Sequence, residues 1–235
     1  MSGFFGVVTS QADCAELVFY GTDYQSHLGT EYGGMAVFGE TFSRQIHNIS
    51  QAQFKSKFYE DYKKMNGNKG IGVISAIEEQ PIYIRSKFGP FCIVTNGFIE
   101  NSEELAEGLL HKGISFSEVS RSSVNQTELA AKLITQGRDI VDGIEKMFSA
   151  IKGSCSLLLL HKDGIYAARD RLGYTPIVVG KRSDAWAVTT ETSAFPNSDF
   201  DVVKDLGPGE IVLVNEKGLT SKAAGKPCNQ ILTRI

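Results

Sequence analysis

The sequence predicts an α+β fold, with mostly antiparallel sheets covered by helices on their outer sides. Three observations carry that expectation. Short apolar runs rich in β-branched and aromatic residues recur from close to the amino terminus. Helical periodicity appears in four stretches among them. After Gly153 the chain becomes a series of strands divided by turns.

Phe4-Phe5-Gly6-Val7-Val8 reads as a buried strand, as do Met35-Ala36-Val37-Phe38 and Ile71-Gly72-Val73-Ile74. Core-forming residues this near the amino terminus are an unusual investment. Ser50 followed by Gln53 fits a capping box. Phe54, Phe58, Tyr62 and Met65 follow at helical spacing, and Asn66-Gly67 ends the pattern. This aromatic stripe reads as core. Ile82–Ile84 and Phe91–Thr95 resemble a hairpin turning at Gly89-Pro90. Asn101 is placed to cap a helix that carries Leu105, Leu109 and Leu110 on one face. A further helix is expected from Thr127 to Gln136, stopped by Gly137. Another carries Ile140, Ile144, Met147, Phe148 and Ile151 and ends at Gly153. Cys155–Leu160 and Ile165–Arg169 flank Lys162-Asp163-Gly164, a strong hairpin signal. Ile177–Val179, Ala185–Thr190 and Ile211–Val214 continue the strands.

The chain has 235 residues, 42% of them hydrophobic and 22% charged, an ordinary globular composition. A chain this long buries roughly 70–75% of its unfolded surface and needs no staples. No linker or repeat divides it, so residues 1–235 are read as one domain. With 24 basic against 27 acidic side chains and no long basic cluster, nucleic acid and membrane surfaces are not the expected partners. Met1-Ser2-Gly3-Phe4-Phe5 lacks a charged export signal, which points to the cytoplasm. Cys14, Cys92, Cys155 and Cys228 are scattered, which suits buried, reduced thiols better than a metal cluster or redox pair. His27, His47, His111 and His161 form no close pair with ligand spacing and read as surface or satisfied histidines. No metal or cofactor is expected. Gly70-x-Gly72 lacks the third glycine of a dinucleotide loop.

Eight segments in order resemble the motifs of class II glutamine amidotransferases, and nearest the glutaminase half of amidophosphoribosyltransferases. Ser2–Val7 resembles the opening CGxxGI, and His27–Gly34 resembles HRGQ-x-x-AG. Lys69–Gly72 resembles GIGH, Thr95–Asn101 resembles HNGNLxN, and Val124–Glu128 resembles TSDSE. Arg169–Pro176 resembles RDPxGIRP, and Thr190–Ala194 and Asp205–Glu210 complete the series. The resemblance covers Ser2 to about Cys228. It implies a four-layer αββα sandwich of the amino-terminal-nucleophile hydrolase type.

In that chemistry an amino-terminal cysteine attacks the side-chain amide of glutamine. Its own α-amine acts as base, and an Asn-Gly pair faces the oxyanion. Early placement of the first strand then has a reason. The departures from the pattern fall on the site. Ser2 stands at the cysteine position, and its amine is free only once Met1 is removed. Ser75 stands where an arginine takes the α-carboxylate of glutamine, before a short loop from Ala76 to Pro81. Gln126 stands where an aspartate takes the α-ammonium. Leu28 replaces the HRGQ arginine, and Thr95 replaces the histidine before Asn-Gly. Losing a charge partner in a desolvated site costs on the order of 2–5 kcal/mol. Free glutamine is therefore not expected to bind well.

Asn96 and Gly97 keep the oxyanion-hole positions, although Asn-Gly is also the commonest tight-turn pair. Gly33, Gly34, Gly70 and Gly72 are expected to permit close backbone approach. Arg169 and Asp170 could pair with each other near the site, with a structural role the better reading. The first functional expectation is an amidotransferase fold with a decayed glutaminase site and a regulatory or partner-binding role. The second is an active amidohydrolase using Ser2 on a different amide. The third is a glutaminase-like subunit that works with a separate synthase. For this third reading, Lys226–Gln230 starts like the family's PCxxEYxYF segment but lacks its aromatic residues.

Overall fold

The computed structural model describes residues 2–10, 13–120 and 123–225, so Met1, Cys228 and Lys226–Gln230 lie outside the described residues. In chain order the elements begin with β1 (Gly3–Thr9), α1 (Ala15–Asp23), β2 (Tyr32–Phe38), β3 (Phe42–Asn48) and α2 (Phe54–Tyr62). Next come β4 (Lys69–Ser75), β5 (Ile82–Ser86), β6 (Gly89–Ile99) and α3 (Ser102–Leu110). Two short strands, β7 (Val119–Ser120) and β8 (Ser123–Val124), precede α4 (Gln126–Ile134) and α5 (Ile140–Ala150). The remainder is β9 (Gly153–His161), β10 (Gly164–Ala168), β11 (Val178–Lys181) and β12 (Ala185–Thr189). It ends with β13 (Asp201–Asp205), β14 (Ile211–Asn215) and β15 (Gly218–Ala223).

Two antiparallel sheets stack between two helical layers. One runs β13-β11-β12-β1-β4-β2-β3, and the other β15-β14-β10-β9-β6-β5. Strand alternation sorts the side chains into three cores. Phe4 and Val8 of β1 meet Leu158 and Leu160 of β9 between the sheets. Phe5 and Val7 turn the other way, onto Val18 and Phe19 of α1 and Phe54 and Phe58 of α2. Leu157 and Leu159 turn onto α3, α4 and α5 through Leu109, Leu129, Ile134 and Ile144. The αββα sandwich implied by the resemblance is the fold observed. β1 lies inside its sheet, paired with β12 and β4, so the amino-terminal residues are held at the end of a central strand.

Helix α1 has no counterpart in the sequence-based expectation. Its apolar set, Val18, Phe19 and the buried Thr22, is short, and Gly21 breaks the pattern. The packing explains both residues, because a Cβ on Gly21 would strike the Phe5 ring at 2.3 Å and Thr22 lies against Gly72. A Cβ on Gly72 would lie 1.9 Å from Thr22 Oγ1, so β4 accepts the helix only at a bare backbone. Gly34 is bare for a similar reason, because a Cβ there would strike the Gln80 carbonyl at 1.7 Å.

Several local expectations are corrected. No capping box forms at Ser50. Gln53 occupies the N-cap of α2 without a side-chain cap bond, and Ser50 bonds Asn48 instead. Gly89 and Pro90 belong to β6, paired with Ser86 and Arg85, so the turn falls at Lys87-Phe88. Leu110 is exposed, and the buried face of α3 is formed by Ala106 and Leu109. Asn101 makes no side-chain cap bond to α3. Its amide ties Lys152 N and the Ala150 carbonyl, which fastens the end of α5 to the start of α3.

Candidate functional site

The site begins at an open sheet edge. β5 pairs with β6 only from Ser86↔Gly89 to Ile82↔Ile93. Beyond Ile93, β6 continues to Ile99 with β9 on one side alone. In an antiparallel strand, alternate residues direct N–H and C=O to the same edge. Thr95, Gly97 and Ile99 therefore turn theirs to the side that β5 has left. Backbone polar groups away from water need partners, and two glutamine side chains supply them. Gln80 Oε1 accepts from Thr95 N at 2.7 Å, and its Nε2 donates to the Thr95 carbonyl at 3.3 Å. Gln126 Oε1 accepts from Ile99 N at 2.8 Å, and its Nε2 donates to the Ile99 carbonyl at 3.2 Å. Gly97 lies between these two amides, and a pocket of about 210 Å³ opens there.

Ser2 reaches the same pocket from the end of β1. Asn96 holds it by both main-chain groups. Its Oδ1 accepts from Ser2 N at 3.2 Å, and its Nδ2 donates to the Ser2 carbonyl. Asn96 and Gly97 sit within β6 opposite Ser156 and Cys155, so the tight-turn reading of this pair is wrong. Gly97 has φ +150°, and a Cβ there would meet the Ser154 carbonyl at 2.2 Å. Glycine is required at this point.

The remaining predicted positions divide. Ser75, Thr95 and Gln126 line the pocket, whereas Leu28 is not in the lining and lies beside Gly3. A Cβ on Gly3 would come within 2.6 Å of Leu28 Cδ1. Ser75 Oγ accepts from Glu78 N at 3.0 Å and Ile77 N at 3.4 Å, holding the loop that follows β4. Thr95 Oγ1 bonds Thr127 Oγ1 at 2.6 Å.

Glu78 was not anticipated. Its buried carboxylate accepts from Gln126 N at 2.6 Å, Thr127 N at 3.1 Å and Thr127 Oγ1 at 3.0 Å. It satisfies the orphan donors at the start of α4. Burial raises its pKa, against the lowering effect of those bonds. Adjacent Glu79 is exposed, and no motif distinguishes the two. Gln80 was missed for the same reason.

Cys155 also lines the pocket. Burial, together with Asp170 and Glu78, pushes its thiol far above the ordinary range, so it supplies no thiolate nucleophile. Cys14 and Cys92 are likewise buried, and burial pushes Cys92 up to about 12.

Arg169 and Asp170 do not pair. Arg169 donates to the Leu206 and Gly173 carbonyls at 2.6 and 2.7 Å. Asp170 accepts from Ser156 Oγ at 2.9 Å and from Thr175 N at 3.2 Å. Each braces the loop before β11. His27 bonds Glu191 at 2.8 Å and His47 bonds Asp61 at 2.6 Å, while buried His161 contacts the Phe88 carbonyl at 3.0 Å. Among the described residues, no three His, Cys, Asp or Glu side chains group for a metal. No described helix is long and apolar enough to cross a membrane. A wider depression of about 560 Å³, near Asp142, Lys146 and Arg171, holds none of the predicted positions. The smaller, more enclosed pocket is therefore the candidate site.

Two stacked antiparallel sheets between helices, with the amino-terminal strand ending at an Asn-Gly edge, define the amino-terminal-nucleophile hydrolase class of fold. The family described as "Glutamine amidotransferase domain" matches residues 70–197, more than half of the chain, and the protein belongs to that family. Among its relatives, the amidophosphoribosyltransferase of Methanocaldococcus jannaschii is 28% identical, over 94% of this chain and 48% of that protein. The Bacillus subtilis enzyme of the same name is 26% identical over 94% of this chain and 47% of its own length. The chain thus spans about half the length of these relatives. Among solved structures, the glutamine phosphoribosylpyrophosphate amidotransferase of B. subtilis, complexed with ADP and GMP, superposes with a TM-score of 0.83 at 24% identity. That superposition covers 94% of this chain and 48% of the other. A protein described as a glutamine aminotransferase class-II domain protein, from Silicibacter pomeroyi, gives 0.61 at 12% identity, covering 95% and 100%. Both likenesses concern the fold.

Proposed function

We propose that this class II glutamine amidotransferase domain, taken as residues 1–235, is a pseudoenzyme. It retains the amidophosphoribosyltransferase-like scaffold for a regulatory or partner-binding role in the cytoplasm and does not hydrolyse glutamine. One observation carries the reading: the polar groups at the substrate positions are committed inside the protein. Gln126 holds Ile99, Ser75 holds the loop amides, and Thr95 bonds Thr127. The described pocket lining contains no lysine, arginine or histidine to take an α-carboxylate. Two missing clamps at about 2–5 kcal/mol each weaken glutamine binding by several powers of ten.

The test is glutamate release from glutamine, using protein shown by intact mass to have lost Met1. No release above a blank is expected, and Ser2→Cys alone should not restore it because the clamps are still missing. Turnover comparable to that of a working glutaminase overturns the reading.

A second reading is favoured by the grip of Asn96 on Ser2 beside Gly97, which leaves a hydroxyl at the pocket. It makes the protein an amidohydrolase with Ser2 as nucleophile for another amide. Met1 retained in protein from its native cell eliminates it, whereas an acyl adduct on Ser2 establishes it. A third reading makes the partner a synthase subunit, and native co-purification tests that.

A further inference from the structure

Two large apolar side chains stand out in water at the pocket mouth. Phe98 of β6 is 59% exposed and Ile77, in the loop after β4, is 49% exposed, and both belong to the lining. In the HNGNLxN motif that Thr95–Asn101 resembles, the position of Phe98 carries an asparagine. The charges beside them are mostly of one sign. Glu79 stands between Glu78 and Gln80 of the lining, Glu100 follows Ile99 of the lining, and Glu103 and Glu104 lie in the first turn of α3. That turn abuts the pocket, because Ser102 Oγ accepts from Gln126 Nε2 at 3.4 Å. Glu79, Glu100, Glu103 and Glu104 are all exposed, and no ion pair between described residues includes any of them. Against them stand exposed Lys152, whose carbonyl accepts from Glu100 N at 2.9 Å, and the Ser2 amine once Met1 is removed. Arg171 lines the separate depression. At the opposite end of the strands acids are matched, Glu216 with Lys69 and Asp184 with Arg182.

We infer that this mouth docks a positively charged segment of a partner protein. One apolar side chain of the segment seats against Phe98 and Ile77, and its lysines and arginines meet Glu79, Glu100, Glu103 and Glu104. Charge complementarity selects this occupant. An anionic partner, such as nucleic acid or an acidic lipid surface, would meet four carboxylates of its own sign. The apolar and charged parts contribute differently. Rim charges steer the encounter, fix orientation and are screened by salt. An aromatic anchor that loses its water holds the complex together. The inference rests on the partner-binding reading of this domain and adds the chemistry of the partner.

The probe is a labelled heptapeptide, blocked at both ends, with a central leucine flanked on each side by lysine and arginine. Fluorescence anisotropy with the full chain follows its binding, and amide NMR shifts locate it. It should move the amides of Ile77, Phe98 and Glu103 and bind less tightly as salt is raised. A matched peptide with glutamate in place of every basic residue should not bind. The double variant Glu103→Lys/Glu104→Lys should weaken the basic peptide about tenfold and flatten its salt dependence. Phe98→Ser should weaken it about tenfold and keep the salt dependence. Lys87→Glu/Lys162→Glu, two exposed positions at the opposite end, should leave the affinity unchanged. No binding of the basic peptide, equal binding of the glutamate peptide, or binding that ignores the rim variants overturns the inference. So does equal binding of a peptide with glycine in place of leucine, which would reduce the contact to charge alone. Sedimentation showing that copies of this chain associate through the same rim makes a second copy the occupant and overturns it too. Glutamate release from glutamine is scored on the same protein, so turnover refutes the pseudoenzyme reading while the peptides alone decide this one.

Discussion

The two halves of β6 obey the same backbone requirement by different means. From Phe91 to Val94 every residue is fully buried; β5 pairs with this half as far as Ile93, and β9 pairs with it from Cys92 onward. Its side chains alternate between two cores, Phe91 and Ile93 toward the helices and Cys92 and Val94 between the sheets. From Thr95 to Ile99 one strand is missing, and the glutamine amides stand in for it at two points. A neighbouring strand satisfies every second residue and leaves no gap. Isolated amides satisfy only the residues they reach, and the peptide between them remains available. A recognition site of this kind arises where sheet pairing stops before the strand does.

The largest effect should come from the paired half. Leu158, opposite Val94 and fully buried between the sheets, should cost about 2–5 kcal/mol as Leu158→Ala in urea unfolding. A cost below that of the pocket variants would break the contrast between dry core and open edge. Gln80→Ala should follow, losing about 1–3 kcal/mol, because Gln80 is 3% exposed, its bonds are buried, and both main-chain groups of Thr95 lose their partner. Gln126→Ala acts on a partly buried pair of bonds that water can replace, so about 1 kcal/mol or less is expected. If calorimetry gives the two glutamine variants equal costs, the edge at Ile99 is as dry as that at Thr95.

The smallest effect lies outside β6 and serves as its control. Lys69 of β4 bonds Glu216, in the β14–β15 turn, at 2.6 Å, clasping one sheet to the other. Burial tends to raise the Glu216 pKa, but the bonds from Lys69 and Asn68 lower it below the ordinary value overall. Its contribution is present above the unfolded carboxyl pKa and fades as pH falls through the lower folded one. At neutral pH, Glu216→Gln should cost under about 1 kcal/mol, and the difference from wild type should close as acid is added. A gap that widens in acid would reverse this assignment. The NMR shifts of Gly97 should be the same in both proteins.

Much of this was legible without coordinates. Short apolar runs at Phe4–Val8 and Cys155–Leu160 announced buried strands, and the periodicity of Ile140–Ile151 announced α5. Of the positions named by the ordered motifs, Ser2, Ser75, Thr95, Gly97 and Gln126 line one pocket, Asn96 bonds Ser2, and Leu28 is not in the lining. α1 escaped notice because its helical pattern is only nine residues long and includes Gly21, whose reason lies elsewhere: a Cβ there would strike Phe5 at 2.3 Å. The capping box at Ser50 and the turn at Gly89-Pro90 were plausible local signals that tertiary pairing overrode. The role of Glu78 had no local signal at all.

The order of side-chain types along the chain by itself determined which segments become strands and helices, because amphipathic period is a property of neighbouring residues. The family motifs likewise determined which positions meet at the end of β1. Tertiary structure alone decided what those positions do. Whether Gln126 faces a ligand or covers Ile99, 27 residues away, depends on which sheet edge is left unpaired. An unpaired edge exists only once two sheets have chosen their strands.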